Sequence, residues 1–284
     1  MSIRTVGVIG AGTIGRSVAQ SLAQAGAYEV VLVDIAQSQL DGALKQMERE
    51  LRFQKVLSAQ ELESSPETIL ARITTGTELA KLADADFIVE NVTENWDIKR
   101  AVYEEIDTVC RPGVIFGVNT SAVPITRVAS VTSRPAEVLG MHFMNPVPLI
   151  GTVEVVRGHF TSDATLDTAL DLLKNLDKEG IVVQDSPGFI TNRVLMLTIN
   201  EAIYCVQDQV ATASQVDRMF KGCFSHKMGP LETGDLIGLD TILNSINVLY
   251  DSFKDSKYRP APLLQKMVDA GLLGRKSGQG FYVY

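Results

Sequence analysis

The sequence predicts an α/β fold in which a doubly wound, mostly parallel sheet is followed by an all-α C-terminal domain. Four apolar runs in the first half, TVGVIG, VVLVD, DFIVEN and VIFGVNTS, each precede a segment with apolar residues at helical spacing. This alternation is typical of parallel strands joined by crossover helices. Beyond about residue 185 the pattern is one of long helices. We therefore expect one domain over residues 1–185 and another over residues 186–284.

Two further β-rich runs, Val138 to Met141 and Thr152 to Val156, are expected to extend the sheet. In the second half, a helical pattern runs from Pro187 through Val210. Ser186 before Pro187 resembles a helix start, because Ser can cap and Pro fits the first helical position.

A glycine-rich turn follows the first strand directly, and Thr13 and Ile14 open the next helix. Gly10 permits the tight turn, Gly12 lets a pyrophosphate approach the backbone, and Gly15 lets helix and strand pack closely. The helix N-terminus supplies N–H groups and a positive dipole to phosphates. This spacing predicts a dinucleotide-binding domain of the Rossmann type.

The second strand, Glu29 to Val33, ends in Asp34, about twenty residues beyond the glycines. A carboxylate at this position can accept both hydroxyls of a ribose, and it would repel a 2′-phosphate. The sequence therefore favours NAD over NADP as the cofactor. The alternative is that Asp34 merely caps the next helix.

A histidine and a glutamate are the candidate acid/base pair. His142 lies at the end of a strand, where ligands gather in open α/β sheets. Glu154 lies in an apolar strand between Val153 and Val155, where an unpaired carboxylate is costly, so we infer that it meets His142. Such a pair would let the imidazole accept a proton during alcohol oxidation. A satisfied structural histidine is the alternative. His159 and His226 have no comparable carboxylate neighbour.

Composition and charge exclude several classes of protein. Apolar residues make up 45% of the chain and charged residues 21%, as in ordinary globular enzymes. The net charge of −8 argues against a nucleic-acid binder. Without a signal-peptide pattern or a membrane-spanning apolar run, we expect a cytoplasmic protein with no membrane partner. Three cysteines without a CxxC pattern and three histidines predict no disulfide and no metal site.

The chain resembles the short-chain L-3-hydroxyacyl-CoA dehydrogenase family over essentially its whole length, most of all bacterial 3-hydroxybutyryl-CoA dehydrogenases. The matching segments are VGVIGAGTIG with Asp34, VENVTENWDIKR, NTSAVPIT, GMHFMNPVP with TVEVVRG, DSPGFITNRV, MGPLETGDLIGLD and LLGRKSGQGFYVY. The resemblance implies an NAD-dependent enzyme of fatty acid metabolism that interconverts short 3-hydroxyacyl and 3-oxoacyl thioesters. It also implies a homodimer formed through the helical domain.

The resemblance implies further site residues beside the catalytic pair His142 and Glu154. Ser121 and Asn192 would hold the reacting oxygen and the thioester region of the substrate, and Asn145 would shape that pocket. A turn-forming role for Ser121 and a packing role for Asn192 are the alternatives. The residues implied on the cofactor side are Glu94, Lys99 and Asn119.

The chain departs from its bacterial relatives in loops on the substrate side. It has Ile150-Gly151 after the NPVP segment in place of Met-Lys, Ser225-His226-Lys227 in place of Asn-His-Pro, and NTSA in place of NTSS. These changes leave the acyl carrier open between coenzyme A and an acyl carrier protein. The candidate basic partners of either carrier's phosphates are Arg52, Lys55, Arg275 and Lys276. A solvated surface charge is the alternative for each.

Two rival functions remain from the sequence. One is a dehydrogenase of the same fold that acts on a non-thioester hydroxy acid such as L-gulonate. The other is an NAD-binding scaffold without catalytic activity, which would have no need of an acid/base pair.

Overall fold

The apolar runs of the first 185 residues form strands because Val and Ile suit the pleated, buried surface of a sheet interior. A computed structural model describes residues 3–57 and 64–284, and for residues 55–57 it describes the backbone alone. The strands among these residues are β1 (Thr5–Ile9), β2 (Glu29–Val33), β3 (Ile73–Gly76), β4 (Phe87–Glu90), β5 (Ile115–Val118), β6 (Val138–His142), β7 (Thr152–Arg157) and β8 (Glu179–Gln184).

The strands form one sheet in the order β3-β2-β1-β4-β5-β6-β7-β8. Neighbouring strands are parallel from β3 through β6, β7 runs antiparallel to β6, and β8 is parallel to β7. The first six strands thus have the order of dinucleotide-binding domains, with the change of direction in strand order between β1 and β4. The predicted doubly wound, mostly parallel sheet is confirmed.

Helices connect and cover these strands. They are α1 (Thr13–Gln24), α2 (Gln37–Leu57), α3 (Pro66–Leu70), α4 (Trp96–Val109), α5 (Ile125–Ala129) and α6 (Asp163–Lys174). The core of this unit consists of fully buried strand residues such as Val8, Leu32 and Met141, against which Leu22 of α1 and Leu172 of α6 pack. The sheet is therefore covered by apolar helix faces, as expected for parallel strands.

The chain divides into two units, Met1–Asp185 and Ser186–Tyr284. The second unit is helical, as predicted, and consists of α7 (Thr191–Gln207), α8 (Ala213–Phe224), α9 (Pro230–Ile237), α10 (Leu239–Phe253) and α11 (Pro262–Asp269). Its core includes Ile199, Leu231, Ile246 and Leu264, all fully buried.

Two buried carboxylates attach the last residues of the chain to this helical unit. Asp235, fully buried, accepts the N–H groups of Phe281 and Tyr282 at 3.0 Å each. Asp217 accepts the Tyr282 hydroxyl at 2.6 Å and the Leu231 N–H at 2.9 Å. Burial and the Asp217 carboxylate raise the pKa of Tyr282. The terminal GFYVY segment therefore belongs to the fold of the second unit.

The sequence-based prediction was wrong at one helix start and incomplete in the sheet. Helix α7 begins at Thr191, four residues after Pro187, because Gly188 and Phe189 both have positive φ angles, 73° and 49°, which a right-handed helix excludes. Strands β3 and β8 were not predicted. β3 is only four residues long, and β8 is an edge strand whose Ile181 and Val182 are 47% and 40% exposed, so neither strand has the pattern of a buried strand.

Candidate active site

In the glycine turn between β1 and α1, Gly10 and Gly15 have no space for a side chain, whereas Gly12 does. Gly10 has a φ of +91°, and a Cβ there would lie 2.7 Å from the carbonyl oxygen of Asn91. A Cβ on Gly15 would overlap the carbonyl oxygen of Gly10, whereas a Cβ on Gly12 would meet nothing within 4 Å. Space is therefore left at Gly12, where a pyrophosphate would approach the backbone.

The N-terminus of α1 suits an anion. Gly12 is the N-cap residue of α1, so the helix start has no side-chain cap hydrogen bond, and its first turn contains no acidic residue. Gly12 and Thr13 are exposed and Ile14 is half-buried. The free N–H groups and the positive end of the helix dipole therefore face a surface that the phosphates of a dinucleotide fit.

Asp34 follows β2 and faces the glycine turn. One carboxylate oxygen accepts the Ala11 N–H at 2.8 Å, and the other accepts the Ala36 N–H at 3.2 Å. The second contact closes a local turn just before α2, which begins at Gln37, and differs from the helix cap that was the alternative. Since Asp34 is only half-buried, its carboxylate also retains access to a ribose.

His142 and Glu154 are cross-strand partners at the end of the β6–β7 ladder. The Nδ1 atom of His142 lies 3.0 Å from Oε2 of Glu154, and both residues are 5% exposed. Val153 and Val155, on either side of Glu154, are buried as well. The structure thus brings together the two residues that the sequence paired, in an apolar setting where each requires a partner.

The partners of the imidazole determine its tautomer. An ionised carboxylate only accepts hydrogen bonds, so Nδ1 carries the proton that is donated to Glu154. Nε2 is then the basic nitrogen, and it lies 3.0 Å from the Ser121 hydroxyl, which can donate to it. Nε2 is therefore prepared to accept a proton, with Glu154 stabilising the imidazolium that results.

Glu94 positions the loop that bears Ser121. Its carboxylate oxygens accept the Ser121 N–H at 2.9 Å and the Thr120 hydroxyl at 2.8 Å. Thr120 in turn accepts the N–H groups of Ala122 and Val123 through its hydroxyl oxygen, which closes a tight turn around Ser121. Ser121 is therefore both a turn residue and a neighbour of His142, so the two interpretations of this serine are compatible.

Asn119 links three of the strand ends that surround this loop. Its side-chain oxygen accepts the Phe143 N–H at 3.1 Å, directly after His142. Its side-chain nitrogen donates to Oδ1 of Asn91 at 2.7 Å, and its backbone N–H donates to the Glu90 carbonyl at 2.9 Å. The ends of β4, β5 and β6 are thereby held at one edge of the sheet.

Lys99, expected on the cofactor side, is fully buried. Its ammonium donates to both carboxylate oxygens of Glu90, at 2.9 and 3.0 Å, and reaches the carbonyl oxygens of Val92 and Asn119 at 3.4 and 3.3 Å. Burial raises the pKa of the Glu90 carboxyl, and the charge of Lys99 opposes that rise. In this arrangement Lys99 supports the backbone beneath the site, and a direct contact with a cofactor remains a prediction.

Glu90 was missed in the sequence, although a signal was available. It ends the apolar strand FIVE and is fully buried, like Glu154 within its own apolar strand. The reasoning that paired Glu154 with a histidine applies equally to Glu90, whose required partner is Lys99, nine residues later on α4.

The two remaining substrate-side candidates are Asn145 and Asn192. Asn145 is exposed in the loop after β6. Asn192 is the second residue of α7 in the other unit and is half-buried. Their roles therefore remain predictions.

The basic residues considered for the acyl carrier have partners of their own. Arg52 lies 2.6 Å from Glu48, and Lys276 donates to Asp240 at 2.6 Å. Arg275 lies over the ring of Tyr284, and the side chain of Lys55 lies outside the described residues. None of these contacts distinguishes a phosphate ligand from a surface charge.

Within residues 3–57 and 64–284, no helix is both long and apolar enough to cross a membrane. The same residues contain no group of three or more His, Cys, Asp or Glu side chains arranged to hold a metal ion.

Two family profiles match the chain. The NAD binding domain of 3-hydroxyacyl-CoA dehydrogenase matches residues 5–186, and the C-terminal domain of 3-hydroxyacyl-CoA dehydrogenase matches residues 188–284. Together these two domains span almost the whole sequence.

Individual relatives are similar from end to end. A probable 3-hydroxybutyryl-CoA dehydrogenase of Deinococcus radiodurans is 46% identical, covering 98% of this chain and 99% of its own. The 3-hydroxybutyryl-CoA dehydrogenase of Bradyrhizobium diazoefficiens is 42% identical, covering 99% of this chain and 96% of its own. The crystal structure of (S)-3-hydroxybutyryl-CoA dehydrogenase from Ralstonia eutropha is 42% identical, with a TM-score of 0.95 over 100% of this chain and 99% of that one. The similarity predicted from the motifs is confirmed, and the protein belongs to the NAD-dependent 3-hydroxyacyl-CoA dehydrogenase family.

Proposed function

We propose that the protein is an NAD-dependent 3-hydroxybutyryl-CoA dehydrogenase, which interconverts the 3-hydroxy and 3-oxo forms of a short acyl-CoA. The observation that carries this proposal is the imidazole of His142. Its Nδ1 is bonded to the buried Glu154, and its Nε2 lies 3.0 Å from Ser121, at the carboxyl edge of the sheet. Membership of the dehydrogenase family supports the same reaction.

In this proposal His142 is the acid/base catalyst. During oxidation its neutral Nε2 accepts the proton of the substrate's 3-hydroxyl group, and during reduction the imidazolium returns a proton to the 3-oxo oxygen. Glu154 holds the ring in the required tautomer and stabilises its protonated form. An oxygen bound at Nε2 would also lie within reach of the Ser121 hydroxyl, so Ser121 orients the reacting oxygen. Asn145 and Asn192 are proposed to complete the substrate pocket.

The cofactor supplies the hydride acceptor, and the residues of the first unit hold it. The backbone of Gly10, Gly12 and Gly15 and the first turn of α1, with Thr13 and Ile14, would bind the pyrophosphate. Asp34 would bind the adenosine ribose and discriminate against a 2′-phosphate. The residues proposed for the nicotinamide side are Glu94, Lys99 and Asn119.

The acyl carrier is proposed to be coenzyme A. The names of the relatives support CoA, and no contact of the described residues favours a carrier protein. A carrier-protein thioester would present the same phosphopantetheine arm to His142, so the two thioesters are to be compared directly as substrates.

The first prediction concerns the substrate. With NAD, we expect (S)-3-hydroxybutyryl-CoA to give the highest kcat/KM for NADH formation, measured by absorbance. The comparison substrates are the (R) isomer, a carrier-protein-linked 3-hydroxybutyryl group and L-gulonate. Faster turnover of L-gulonate or of the carrier-linked group than of the CoA ester would refute the proposed substrate.

The second prediction concerns the acid/base pair. We expect His142→Gln to lower kcat by at least about 100-fold, because the proton acceptor is removed. We expect Glu154→Gln to lower kcat by at least about tenfold, because the imidazolium loses its anionic partner. NADH binding, measured by fluorescence titration, is expected to change little in both. Undiminished activity of His142→Gln would rule out the mechanism.

The third prediction concerns cofactor choice. Asp34→Ala is expected to raise the KM for NAD by about 10- to 100-fold, because one or two charge-assisted hydrogen bonds from the ribose to the carboxylate are lost. The KM for NADP is expected to fall or stay unchanged, since a repulsive charge is removed. Asp34→Asn is the matched control, because it can retain the hydrogen bond to Ala11 while losing the charge. Equal use of NAD and NADP by the unaltered enzyme would contradict this assignment.

The fourth prediction concerns assembly. We propose a homodimer formed by the helical unit, supported by apolar surface along α7 and α8. Val194, Met219 and Phe224 are 60%, 60% and 65% exposed, and a groove of about 380 Å³ lies between these helices. Sedimentation equilibrium is expected to give twice the mass of one chain. Met219→Asp should increase the monomer fraction, whereas Phe53→Asp, which alters an equally exposed residue of the first unit, should not. A single-chain mass at micromolar concentration would exclude the dimer.

A further inference from the structure

The loop between β6 and β7, residues 143–151, connects the two members of the acid/base pair. His142 is the last residue of β6, and Glu154 is the third residue of β7, directly opposite it. Because the β6–β7 ladder ends at this pair, the 143–151 loop is the direct chain connection between the imidazole and the carboxylate, which lie 3.0 Å apart. Anything that fixes this loop acts on the geometry of the pair.

The buried side chain of Lys178 holds this loop through hydrogen bonds to its backbone. The Lys178 ammonium donates to the carbonyl oxygen of Val147 at 2.6 Å and to that of Ile150 at 2.8 Å. The next residue, Glu179, donates its backbone N–H to the Gly151 carbonyl at 2.8 Å. Two successive residues at the start of β8 therefore bind three carbonyl oxygens of the 143–151 loop.

The other anchors of the loop lie in its first half. Val147 is 1% exposed and packs into the core of the first unit, but Leu149 is 80% exposed and Asn145 is exposed too. Phe143 is 4% exposed, packs into the same core and donates its N–H to Asn119 at 3.1 Å. Both apolar anchors therefore lie in the first five residues of the loop. The hydrogen bonds of Lys178 to the carbonyls of Val147 and Ile150 hold the second half of the loop.

Burying the Lys178 ammonium costs desolvation free energy, so its presence at this position requires an explanation. Lys178 is only 8% exposed, and its two hydrogen bonds go to neutral carbonyls rather than to a carboxylate. Burial lowers the pKa of the ammonium, and the nearby Asp177 carboxylate opposes this effect. An apolar side chain would avoid the desolvation cost but would leave two carbonyls without a donor. A long side chain with several donors can reach the carbonyl oxygens of both Val147 and Ile150.

We propose that Lys178 is a positioning residue for the acid/base pair, holding the 143–151 loop so that His142 and Glu154 stay in register for proton transfer. This inference rests on the proposed role of His142 as the acid/base catalyst. Lys178 does not itself contact the imidazole, and it acts through the loop and the β6–β7 ladder. A misplacement of the imidazole by a fraction of an ångström is sufficient to slow proton transfer.

The test compares variants in two backgrounds. Lys178→Met keeps most of the side-chain volume and removes every donor, and Lys178→Arg retains donors. The matched control is Lys174→Met, which removes the same charge from an exposed position on α6. We expect Lys178→Met to lower kcat by about tenfold, with little change in the KM for NAD, and Lys178→Arg to recover part of the loss. Lys174→Met should behave as the unaltered enzyme.

The coupling between Lys178→Met and Glu154→Gln distinguishes a positioning role of Lys178 from a general role in stability. In a Glu154→Gln background, Lys178→Met should reduce kcat by less than twofold, because the pair it positions is already broken. An equal tenfold loss in both backgrounds, or undiminished kcat in folded Lys178→Met, would overturn the proposal. Thermal melting identifies the folded variants. If Lys178→Met does not fold, Lys178→Gln serves in the same comparison.

A measurement that needs no turnover keeps this inference distinct from the proposed function. The proton on Nδ1 of His142 gives a characteristic NMR resonance that depends on its hydrogen bond to Glu154. We expect this resonance to shift or broaden in Lys178→Met and to stay in place in Lys174→Met. An unchanged resonance in Lys178→Met would overturn the positioning role even in an inactive protein, whereas the loss of activity on every substrate would count against the proposed function alone.

Discussion

The hydrogen bond between His142 and Glu154 depends on the reversal of strand direction between β6 and β7. In the parallel part of the sheet, each crossover returns the chain from the carboxyl ends of the strands to their amino ends before the next strand begins. At β7 the chain turns back at once, so the carboxyl end of β6 lies directly opposite the start of β7. A histidine and a glutamate twelve positions apart become cross-strand neighbours, and a buried imidazole and a buried carboxylate satisfy each other.

A second buried carboxylate supports the same edge of the sheet in a different way. Glu90 is neutralised by Lys99, whose ammonium also binds the carbonyl oxygens of Val92 and Asn119. Glu154 is instead paired with an imidazole, whose two ring nitrogens can each carry a proton. Replacing either partner would leave a charge buried without compensation, which is far more costly than the pair itself. The Glu90–Lys99 pair therefore serves as a fixed support, whereas the His142–Glu154 pair contains the proposed acid/base group.

The network around Ser121 connects the ends of β4, β5 and β6 with His142. Glu94 holds the turn that bears Ser121, and Asn119 joins the ends of β4, β5 and β6. These hydrogen bonds join side chains to backbone N–H groups and to one another, so the turn and the strand ends are held in place. The same principle applies to Lys178, whose long side chain is immobilised by two carbonyl oxygens beneath the 143–151 loop.

Much of this protein was determined by its sequence alone. The glycine turn, Asp34 and the alternation of strands and helices predicted the Rossmann fold, because these features depend on local steric and hydrogen-bonding rules. The ordered motifs predicted the family, and the isolated carboxylate of Glu154 predicted a partner. Short or exposed strands such as β3 and β8 have no such local signal, and the positive φ angles of Gly188 and Phe189 delayed the start of α7. The tertiary structure alone decided the antiparallel course of β7, the burial of Lys99 against Glu90 and the contacts of Lys178. The course of β7 and the contacts of Lys178 depend on which distant backbone groups come together when the sheet forms, and no local pattern records that. For Glu90 the sequence indicated the need for a partner, and the fold decided that the partner is Lys99.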